Sequence, residues 1–315
     1  MSILRFDNVV KTYGKTIAVD HVSFEIPKGK IFGMLGPNGA GKTSLIRIIT
    51  TITRADSGTI WLDGEKLNSR HPAQIGYMPE ERGLYKKMKV GEQLTYLARL
   101  KGLSAAETKQ ELRHWFERLE IKGWWNKKIE ELSKGMQQKV QFIATVLHKP
   151  KLLILDEPFS GLDPINTNLI KDEIRKLNEQ GTSIIFSTHQ MEQVEAMCEH
   201  IVLINKGKNV LTGRVKDIKQ QFKENLFRIE YTGSLPPDLQ AADAANPLFD
   251  IQEISEHTLT VKIYEGGDSN DILRHLMQHD IHIHSFHEIL PSINEIFIKR
   301  VEEDGKHEEG KLAIK

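Results

Sequence analysis

The clearest chemistry in the sequence belongs to a glycine-rich segment that matches the phosphate-binding pattern G-x-x-x-x-G-K-[ST]. Its residues are Gly36, Pro37, Asn38, Gly39, Ala40, Gly41, Lys42 and Thr43, followed by Ser44. Glycines let a backbone wrap closely around phosphate oxygens and aim its N–H groups at them. Lys42 has the length to reach β- and γ-phosphates, and the Thr43 hydroxyl is a suitable Mg²⁺ ligand. We therefore predict an ATP site at this segment.

Two carboxylates follow an apolar run that is typical of a strand buried on both faces. The run is Leu152 to Leu155, and the carboxylates are Asp156 and Glu157. Asp156 is suited to hold Mg²⁺ through water. Glu157 is placed to polarise the water that attacks the γ-phosphate. We predict these two residues to be a metal ligand and a catalytic residue.

A histidine follows the next apolar run along the chain. Residues Thr182 to Phe186 predict a buried strand, and Ser187, Thr188 and His189 come directly after it. Because parallel strands end at the same edge of a sheet, His189 is expected to lie beside the two carboxylates. An imidazole there can donate a hydrogen bond to the γ-phosphate and so detect its presence.

Length and composition predict two folded domains. The chain has 315 residues, 39% of them hydrophobic and 27% charged, with a formal net charge of zero. That balance does not favour a dedicated nucleic-acid binder. The charge is unevenly distributed, with a net of +10 over residues 1–223 and −10 over residues 224–315. A single cysteine, Cys198, and the lack of an apolar leader or of an apolar run near 18 residues predict a cytosolic chain.

The pattern of elements predicts an α/β sheet followed by a small α+β domain. Strands and helices alternate over the first two-thirds, with a helical insert from about Val90 to Glu131. Cys198 is expected in the helix after His189, as a packed residue. In the last third the pattern predicts these elements: strands at 226–231, 258–264 and 281–286, helices at 270–278 and 293–301, a loop at 233–246, and a frayed tail at 302–315.

In this order the motifs resemble the ATP-binding subunit of ATP-binding cassette (ABC) transporters. Leu132, Ser133, Lys134, Gly135, Met136, Gln137 and Gln138 are similar to the family signature L-S-G-G-Q, with a change at Lys134 and an inserted Met136. Ser160 to Asp163 is similar to the family's D-loop, and Tyr13 stands where the family stacks an aromatic ring on adenine. The resemblance covers residues 1 to about 220.

The resemblance implies a fold, a reaction and partners. It implies a P-loop NTPase with a RecA-like core and a helical subdomain, followed by the small α+β domain. We accordingly divide the chain into an ATP-binding domain at 1–222 (helical subdomain about 88–135), an accessory domain at 223–301 and a charged tail at 302–315. The signature residues Ser133, Gly135 and Gln137, with Asp163, are implied to contact ATP held by a second copy in a head-to-tail dimer. A separate membrane permease is the implied partner, on the cytoplasmic face of the membrane, with ATP and Mg²⁺ as cofactors and no nucleic acid.

One residue departs from the family pattern. Where the family usually has glutamine, this chain has Glu80, which can still ligate Mg²⁺ but lacks an amide donor. The stretch Pro79 to Tyr85 resembles that of type 2 exporter ATPases with an extra C-terminal domain, and Pro291 to Phe297 is similar to a motif that ends that domain. We therefore expect an ATPase that powers export, with Glu80 as a ligand.

Two other classes of function stay open at this point. One is a soluble ABC ATPase that acts on ribosomes, DNA or cluster assembly, and the other is a nucleotide-binding regulator without turnover. The insert shows no long coiled coil and the chain holds one cassette, and Glu157 and His189 are both present, which favours the transporter subunit. The histidines His279, His282, His284 and His287 are expected to form a polar strand face, with a metal site as the alternative.

Overall fold

A computed structural model gives the fold of two compact units, Met1–Val215 and Lys216–Lys315. The structure describes residues 1–81, 83–235, 249–264, 266–278 and 281–312, with side chains described as far as residue 302. The division between the units comes earlier than the boundary that we predicted after residue 222.

The first unit contains ten strands and six α-helices among its described residues. The strands are β1 (Ser2–Tyr13), β2 (Thr16–Pro27), β3 (Ile31–Leu35), β4 (Ser57–Leu62), β5 (Glu65–Lys66), β6 (Ile75–Met78), β7 (Leu152–Asp156), β8 (Ser183–Thr188), β9 (His200–Asn205) and β10 (Lys208–Arg214). The helices are α1 (Lys42–Ile49), α2 (Val90–Leu100), α3 (Ala105–Arg118), α4 (Lys134–Val146), α5 (Pro164–Glu179) and α6 (Met191–Met197).

The main sheet has six strands in the order β10-β9-β3-β8-β7-β6. Strands β9, β3, β8, β7 and β6 are parallel, and β10 pairs antiparallel at one edge. Every residue of β3, β7 and β8 is buried, as expected for strands covered on both faces. The predicted α/β fold is therefore confirmed.

A second sheet, antiparallel and of order β2-β1-β4-β5, covers one side of the first unit. Sequence reasoning did not identify the long strands β1 and β2, and it grouped β4 with the alternating α/β elements. The apolar residues of these strands share a core with α1 and the main sheet, in which Phe6 stacks on Phe24 at 4.3 Å between ring centroids. Helix α1 contributes Leu45, Ile46 and Ile49 to this core.

Helices α2, α3 and the start of α4 form the helical subdomain. Ser104 caps α3 in a reciprocal pair with Glu107, and Ser133 caps α4 by accepting a hydrogen bond from the Met136 N–H. The Arg118 guanidinium forms an ion pair with Glu173 of α5, a carboxylate whose side chain is only 2% exposed. This pair joins the subdomain to the core.

The second unit is a small α+β domain. Its elements are α7 (Val215–Gln221, which begins at the unit boundary), β11 (Leu226–Thr232), β12 (Phe249–Ile254), β13 (Thr258–Ile263), α8 (Ser269–Met277), β14 (His282–Ile289) and α9 (Ile293–Leu312). Its antiparallel sheet has the order β12-β13-β11-β14 and packs one apolar face against α8.

Two features of this unit differ from our expectation. Strand β12 follows the predicted loop and was missed because its pattern is short and interrupted by acidic residues. Helix α9 continues to Leu312, where we predicted a frayed tail from residue 302; glutamates and lysines are good helix formers and extend it. The predicted loop at 233–246 lies mostly outside the described residues.

The histidine-rich strand has a polar, exposed face. His282, His284 and His287 are exposed, and the Thr232 hydroxyl lies 3.1 Å from His284 Nε2. His279 lies outside the described residues. Among the residues that the structure describes, no group of three or more His, Cys, Asp or Glu side chains could hold a metal ion.

Two further observations concern Cys198 and the helices. Cys198 is buried as predicted, but it follows α6 instead of lying within it, and burial raises the pKa of its thiol. In the described ranges, no helix is both long and apolar enough to cross a membrane.

The fold depends on a close approach at Gly76 in β6. A Cβ atom at this residue would lie 2.5 Å from the Thr145 carbonyl oxygen of α4, a backbone atom that cannot rotate away. We expect Gly76→Ala to lower the free energy of unfolding by about 1–3 kcal/mol, as overpacking does. Urea unfolding measures this loss. The control is Gly123→Ala, where a Cβ meets nothing within 4 Å; equal stability of the two variants would contradict the packing.

Candidate functional site

The predicted catalytic and phosphate-binding residues lie together because four parallel strands end at one edge of the main sheet. Strands β3, β8, β7 and β6 are neighbours and run in the same direction. The residues that directly follow these strands are the glycine-rich loop after β3, His189 after β8, Glu157 after β7 and the segment with Glu80 after β6. The topology therefore brings the predicted catalytic and phosphate-binding residues to one edge.

The loop between β3 and α1 has a backbone that requires glycine. Gly36, Gly39 and Gly41 have φ values of 149°, 78° and 110°, a region that residues with side chains rarely adopt. A Cβ at Gly36 would lie 2.1 Å from the Ile204 carbonyl oxygen, and a Cβ at Gly41 would lie 2.3 Å from the Ala18 carbonyl oxygen. Side chains at these positions would therefore disrupt both the curve of the loop and its packing.

Neighbouring backbone holds the loop in place. The Gly207 N–H donates to the Ala40 carbonyl at 2.8 Å, and the Gly207 carbonyl accepts from the Asp20 N–H at 2.9 Å. Helix α1 then begins at Lys42, so Thr43 and Ser44 lie in its first turn. The partial positive charge of this helix end points toward the loop, which is the usual arrangement for binding phosphate.

Lys42 is a buried cation at the centre of the site. Its side chain donates to the carbonyls of Gly36 at 2.6 Å and Pro37 at 3.0 Å, and the residue is 9% exposed. Burial lowers the pKa of the Lys42 ammonium, while the negative charges of Asp156, Glu157 and Glu80 oppose that change. Three carboxylates thus act on one ammonium.

Asp156 is the last residue of β7 and is 6% exposed. Burial raises the pKa of its carboxyl, and the nearby Glu157 and Glu80 add to this effect. A buried carboxylate among other carboxylates favours binding a cation, because a cation offsets their mutual repulsion. Asp156, with the Thr43 hydroxyl on α1, suits the divalent ion that accompanies a nucleotide.

Glu157 is held at a defined position and with backbone strain. Its φ of 49° is unusual for a residue with a side chain, and such strain concentrates at functional sites. Its Oε2 accepts from the Thr188 hydroxyl at 3.0 Å, and its Oε1 accepts from the His189 N–H at 2.9 Å. His189 Nδ1 lies 2.6 Å from the same Oε1. The predicted pair of Glu157 and His189 is therefore in direct contact.

Glu80 lies exposed on the bend that follows β6. The preceding Pro79 carbonyl accepts a hydrogen bond from the buried Gln141 of α4 at 2.7 Å. The negative charge of Glu80 acts on the pKa values of both Lys42 and Asp156. Glu80 therefore belongs to the same electrostatic group, and Gln141 fixes the strand end that carries it.

The signature residues form the N-terminus of α4. The Ser133 hydroxyl accepts from the Met136 N–H at 3.3 Å and is exposed. Gln137 does not project outward, since its side-chain amide donates to the carbonyls of Leu132 at 2.9 Å and Ile129 at 3.3 Å. Within the described residues, no hydrogen bond or ion pair joins 133–137 to the phosphate loop of the same chain.

The segment after Glu157 touches the signature. A Cβ at Gly135 would lie 3.2 Å from the Gly161 carbonyl oxygen. Asp163 caps α5 by accepting from the Asn166 N–H at 2.9 Å, and this hydrogen bond lowers the pKa of the Asp163 carboxyl. Asp163 is thus engaged within its own chain, as a helix cap.

Gln138 is a site residue that sequence reasoning quoted only as part of the signature. It is fully buried, and its amide donates to the Pro158 carbonyl at 2.9 Å. It therefore connects α4 to the turn directly after β7. No local sequence pattern indicates this hydrogen bond, because the two residues are 20 positions apart in the chain.

Tyr13 is the last residue of β1, and its side chain is exposed. The Lys11 ammonium lies 5.5 Å from the centre of the Tyr13 ring. The same ammonium forms an ion pair with Asp56, with 2.7 Å between Lys11 Nζ and Asp56 Oδ1. An exposed aromatic face with a neighbouring cation is suited to stacking on a base. Stacking of Tyr13 on adenine remains a prediction.

Two family models match the chain. The ABC transporter model matches residues 19–160, and a model of the DrrA1-3-like ATP-binding protein C-terminal domain matches residues 213–301. The first match contains the phosphate loop, Glu80, the signature and the residues after β7. The second covers the described sheet of the C-terminal unit.

Curated relatives match along most of the chain. The uncharacterised ABC transporter ATP-binding protein YhaQ of Bacillus subtilis is 44% identical over 95% of this chain and 98% of its own length. The linearmycin resistance ATP-binding protein LnrL of the same species is 30% identical over 94% and 97%. The Nod factor export ATP-binding protein I of Paraburkholderia xenovorans is 34% identical over 81% and 84%.

Solved structures match about two-thirds of the chain. The ATP-binding subunit of an ABC transporter has a TM-score of 0.66 and 29% identity, covering 70% of this chain and 93% of that one. A dimeric ATP-binding cassette bound to ADP and Pi has a TM-score of 0.62 and 24% identity over 67% and 98%, a likeness of fold. Sequence, site geometry and fold agree, and the chain belongs to the ATP-binding, ATP-hydrolysing subunits of ABC transporters, with a DrrA-type C-terminal domain.

Proposed function

We propose that two copies of the chain bind two ATP molecules head to tail and power export through a separate membrane permease. The observation that carries this proposal is that, among the described residues, no hydrogen bond or ion pair joins the phosphate loop to the start of α4 within one chain. The phosphate loop is one half of an ATP site, and the capped, exposed start of α4 is the other. A second copy that offers its Ser133 to the first copy's phosphate loop completes both sites.

The residues around Lys42 fit a magnesium–nucleotide complex. Packing of Gly36 and Gly41 against the carbonyls of Ile204 and Ala18 holds the loop in its curve, and the start of α1 favours an anion beside that loop. The Thr43 hydroxyl and the Asp156 carboxylate would hold Mg²⁺, with Glu80 as a further ligand. When bound, the ion neutralises phosphate charge.

Glu157 and His189 supply the hydrolytic chemistry. The Glu157 carboxylate accepts a proton from the water that attacks the γ-phosphate, and its bonds to Thr188 and His189 fix its orientation. His189 presents its other ring nitrogen for the γ-phosphate, because Nδ1 is engaged by Glu157. Loss of the γ-phosphate removes this contact and lets the copies part.

The signature side of the site uses the start of a helix. Ser133 and the first N–H groups of α4 carry partial positive charge that favours an anion. Gly135 of the signature lies against Gly161, which follows Glu157 in the same chain. When the signature of one copy moves, this contact therefore moves the segment after Glu157 in that copy. This contact gives a physical path between the two ATP sites of a dimer.

A groove beside Glu80 supports contact with a membrane partner. A cavity of about 460 Å³ opens between β6 and α2, with Tyr77, Leu84, Leu97 and His148 in its lining. Leu100 of its lining is 64% exposed, and Tyr85, the residue after Leu84, is 57% exposed. An apolar groove flanked by exposed apolar residues fits a helix of a permease loop. We place the protein at the cytoplasmic membrane face, and the names of LnrL and of the Nod factor export protein favour export.

The phosphate-binding role of Lys42 is tested by Lys42→Ala. We expect the Kd for ATP to rise at least about tenfold for each charged hydrogen bond lost. Equilibrium binding of a fluorescent ATP analogue measures this. The control is Lys66→Ala, which removes an exposed lysine of β5. Unchanged affinity in the Lys42 variant would contradict the assigned loop.

The catalytic role of Glu157 is tested by Glu157→Gln. We expect hydrolysis to fall about 10²–10⁴-fold, as for loss of a general base, and an ATP-dependent dimer to accumulate on gel filtration. Adding Ser133→Arg to this variant should abolish the dimer while ATP still binds. If Glu157→Gln stays monomeric with ATP and Mg²⁺, the head-to-tail arrangement is wrong.

The role of Glu80 is tested by Glu80→Gln. The amide oxygen can still ligate a cation, so we expect ATP hydrolysis near the parent rate, far from the roughly 10²–10⁴-fold loss that removal of a general base brings. Steady-state phosphate release measures this, with Glu81→Gln as the matched control. Complete loss of turnover in Glu80→Gln alone would make Glu80 a catalytic residue.

A further inference from the structure

A second groove lies between α2 and α3 of the helical subdomain. It has a volume of about 710 Å³, which falls within the range of ligand-binding pockets. Its lining includes Lys109, Leu112, Arg113, Phe116, Glu117 and Trp125. None of these residues belongs to the predicted ATP site.

The floor of this groove is apolar and is built by packing. Leu112 and Phe116 are buried, and the Trp125 indole lies 5.5 Å from the Phe116 ring between centroids. A Cβ at Gly91 would lie 2.4 Å from the Trp125 ring, so the helix backbone supports one face of the indole. The residue is nevertheless 44% exposed. The fold therefore holds a large aromatic surface open at the groove.

The rim of the groove is positively charged. Four cations line it, and Glu117 is the one acidic residue of the lining. Lys122 pairs with Glu117 at 3.0 Å, and Arg99 donates to the Leu103 carbonyl at 2.8 Å. Lys109 and Arg113 are exposed, and in the described part of the chain neither has an ion-pair partner. They stand one helical turn apart on α3, on the same side.

This groove is distinct from the one that we assign to the permease. The two grooves have no lining residue in common: α2 gives Thr95 and Arg99 to this one, and Leu97 and Leu100 to the other. A ligand in the α2–α3 groove therefore leaves the surface beside Glu80 accessible.

We propose that the α2–α3 groove binds an anionic amphiphile with one apolar chain. The chain packs on Trp125, Phe116 and Leu112, which removes apolar surface from water. The carboxylate or phosphate head lies at Lys109 and Arg113, where a guanidinium donates to two oxygens of one head group. A net positive rim around an apolar floor fits this charge pattern and disfavours a cationic or a neutral head.

Isothermal titration calorimetry on the full chain tests the proposal, with dodecyl phosphate below its micellar concentration as the probe. We expect saturable binding at least about tenfold tighter than that of dodecyltrimethylammonium or dodecyl maltoside. Arg113→Glu should raise the Kd for dodecyl phosphate at least about tenfold. Ala105→Trp, a change at an exposed position, should block the groove. ATP binding and the melting temperature report that each variant is folded.

The matched control is Arg175→Glu, which reverses an exposed arginine on α5, away from the groove. It should bind dodecyl phosphate as the parent does. Three results would each overturn the proposal: equal affinity for the three detergents, binding only above the micellar concentration, or an Arg113→Glu variant that binds like the parent. ATP affinity is measured in the same samples. A result against the α2–α3 groove can therefore be told apart from a result against the proposed ATP site.

Discussion

The structure depends on one electrostatic constraint, the burial of the Lys42 ammonium beside three carboxylates. Burial alone disfavours the charge on Lys42 and also that on Asp156. Each group therefore needs the other, and both need the parallel strand order that places β3, β8, β7 and β6 side by side. The positive φ values of Gly36, Gly39 and Gly41 let the loop curve, and Lys42 donates to the carbonyls of Gly36 and Pro37 within it.

Much of this arrangement could be predicted from the sequence because it is local. The loop pattern, the apolar runs and the charged residues that end them are each contained within about ten residues, and parallel strands then require their ends to meet. The contact between Glu157 and His189 follows from neighbouring strands. The family resemblance added what no single segment carries, namely the head-to-tail partner, which stays a proposal.

Other features could not be predicted because they depend on contacts far apart in the chain. Strands β1 and β2 lie with β4 and β5 in a second sheet, and bulges interrupt the apolar alternation along them. Gln137 hydrogen-bonds to the carbonyls of Leu132 and Ile129, two contacts that the signature motif alone does not specify. The end of α9 was missed because charged residues signal both frayed tails and exposed helices.

The central claim is that one chain carries two halves of different ATP sites. A mixing experiment tests it directly: a Lys42→Ala chain lacks the phosphate side, and a Ser133→Arg chain lacks the signature side. Each alone should be inactive. In a head-to-tail dimer, a mixed pair rebuilds one complete site, so an equal mixture should recover up to about a quarter of the parent ATPase rate. No recovery at concentrations where the mixed dimer forms would contradict the account.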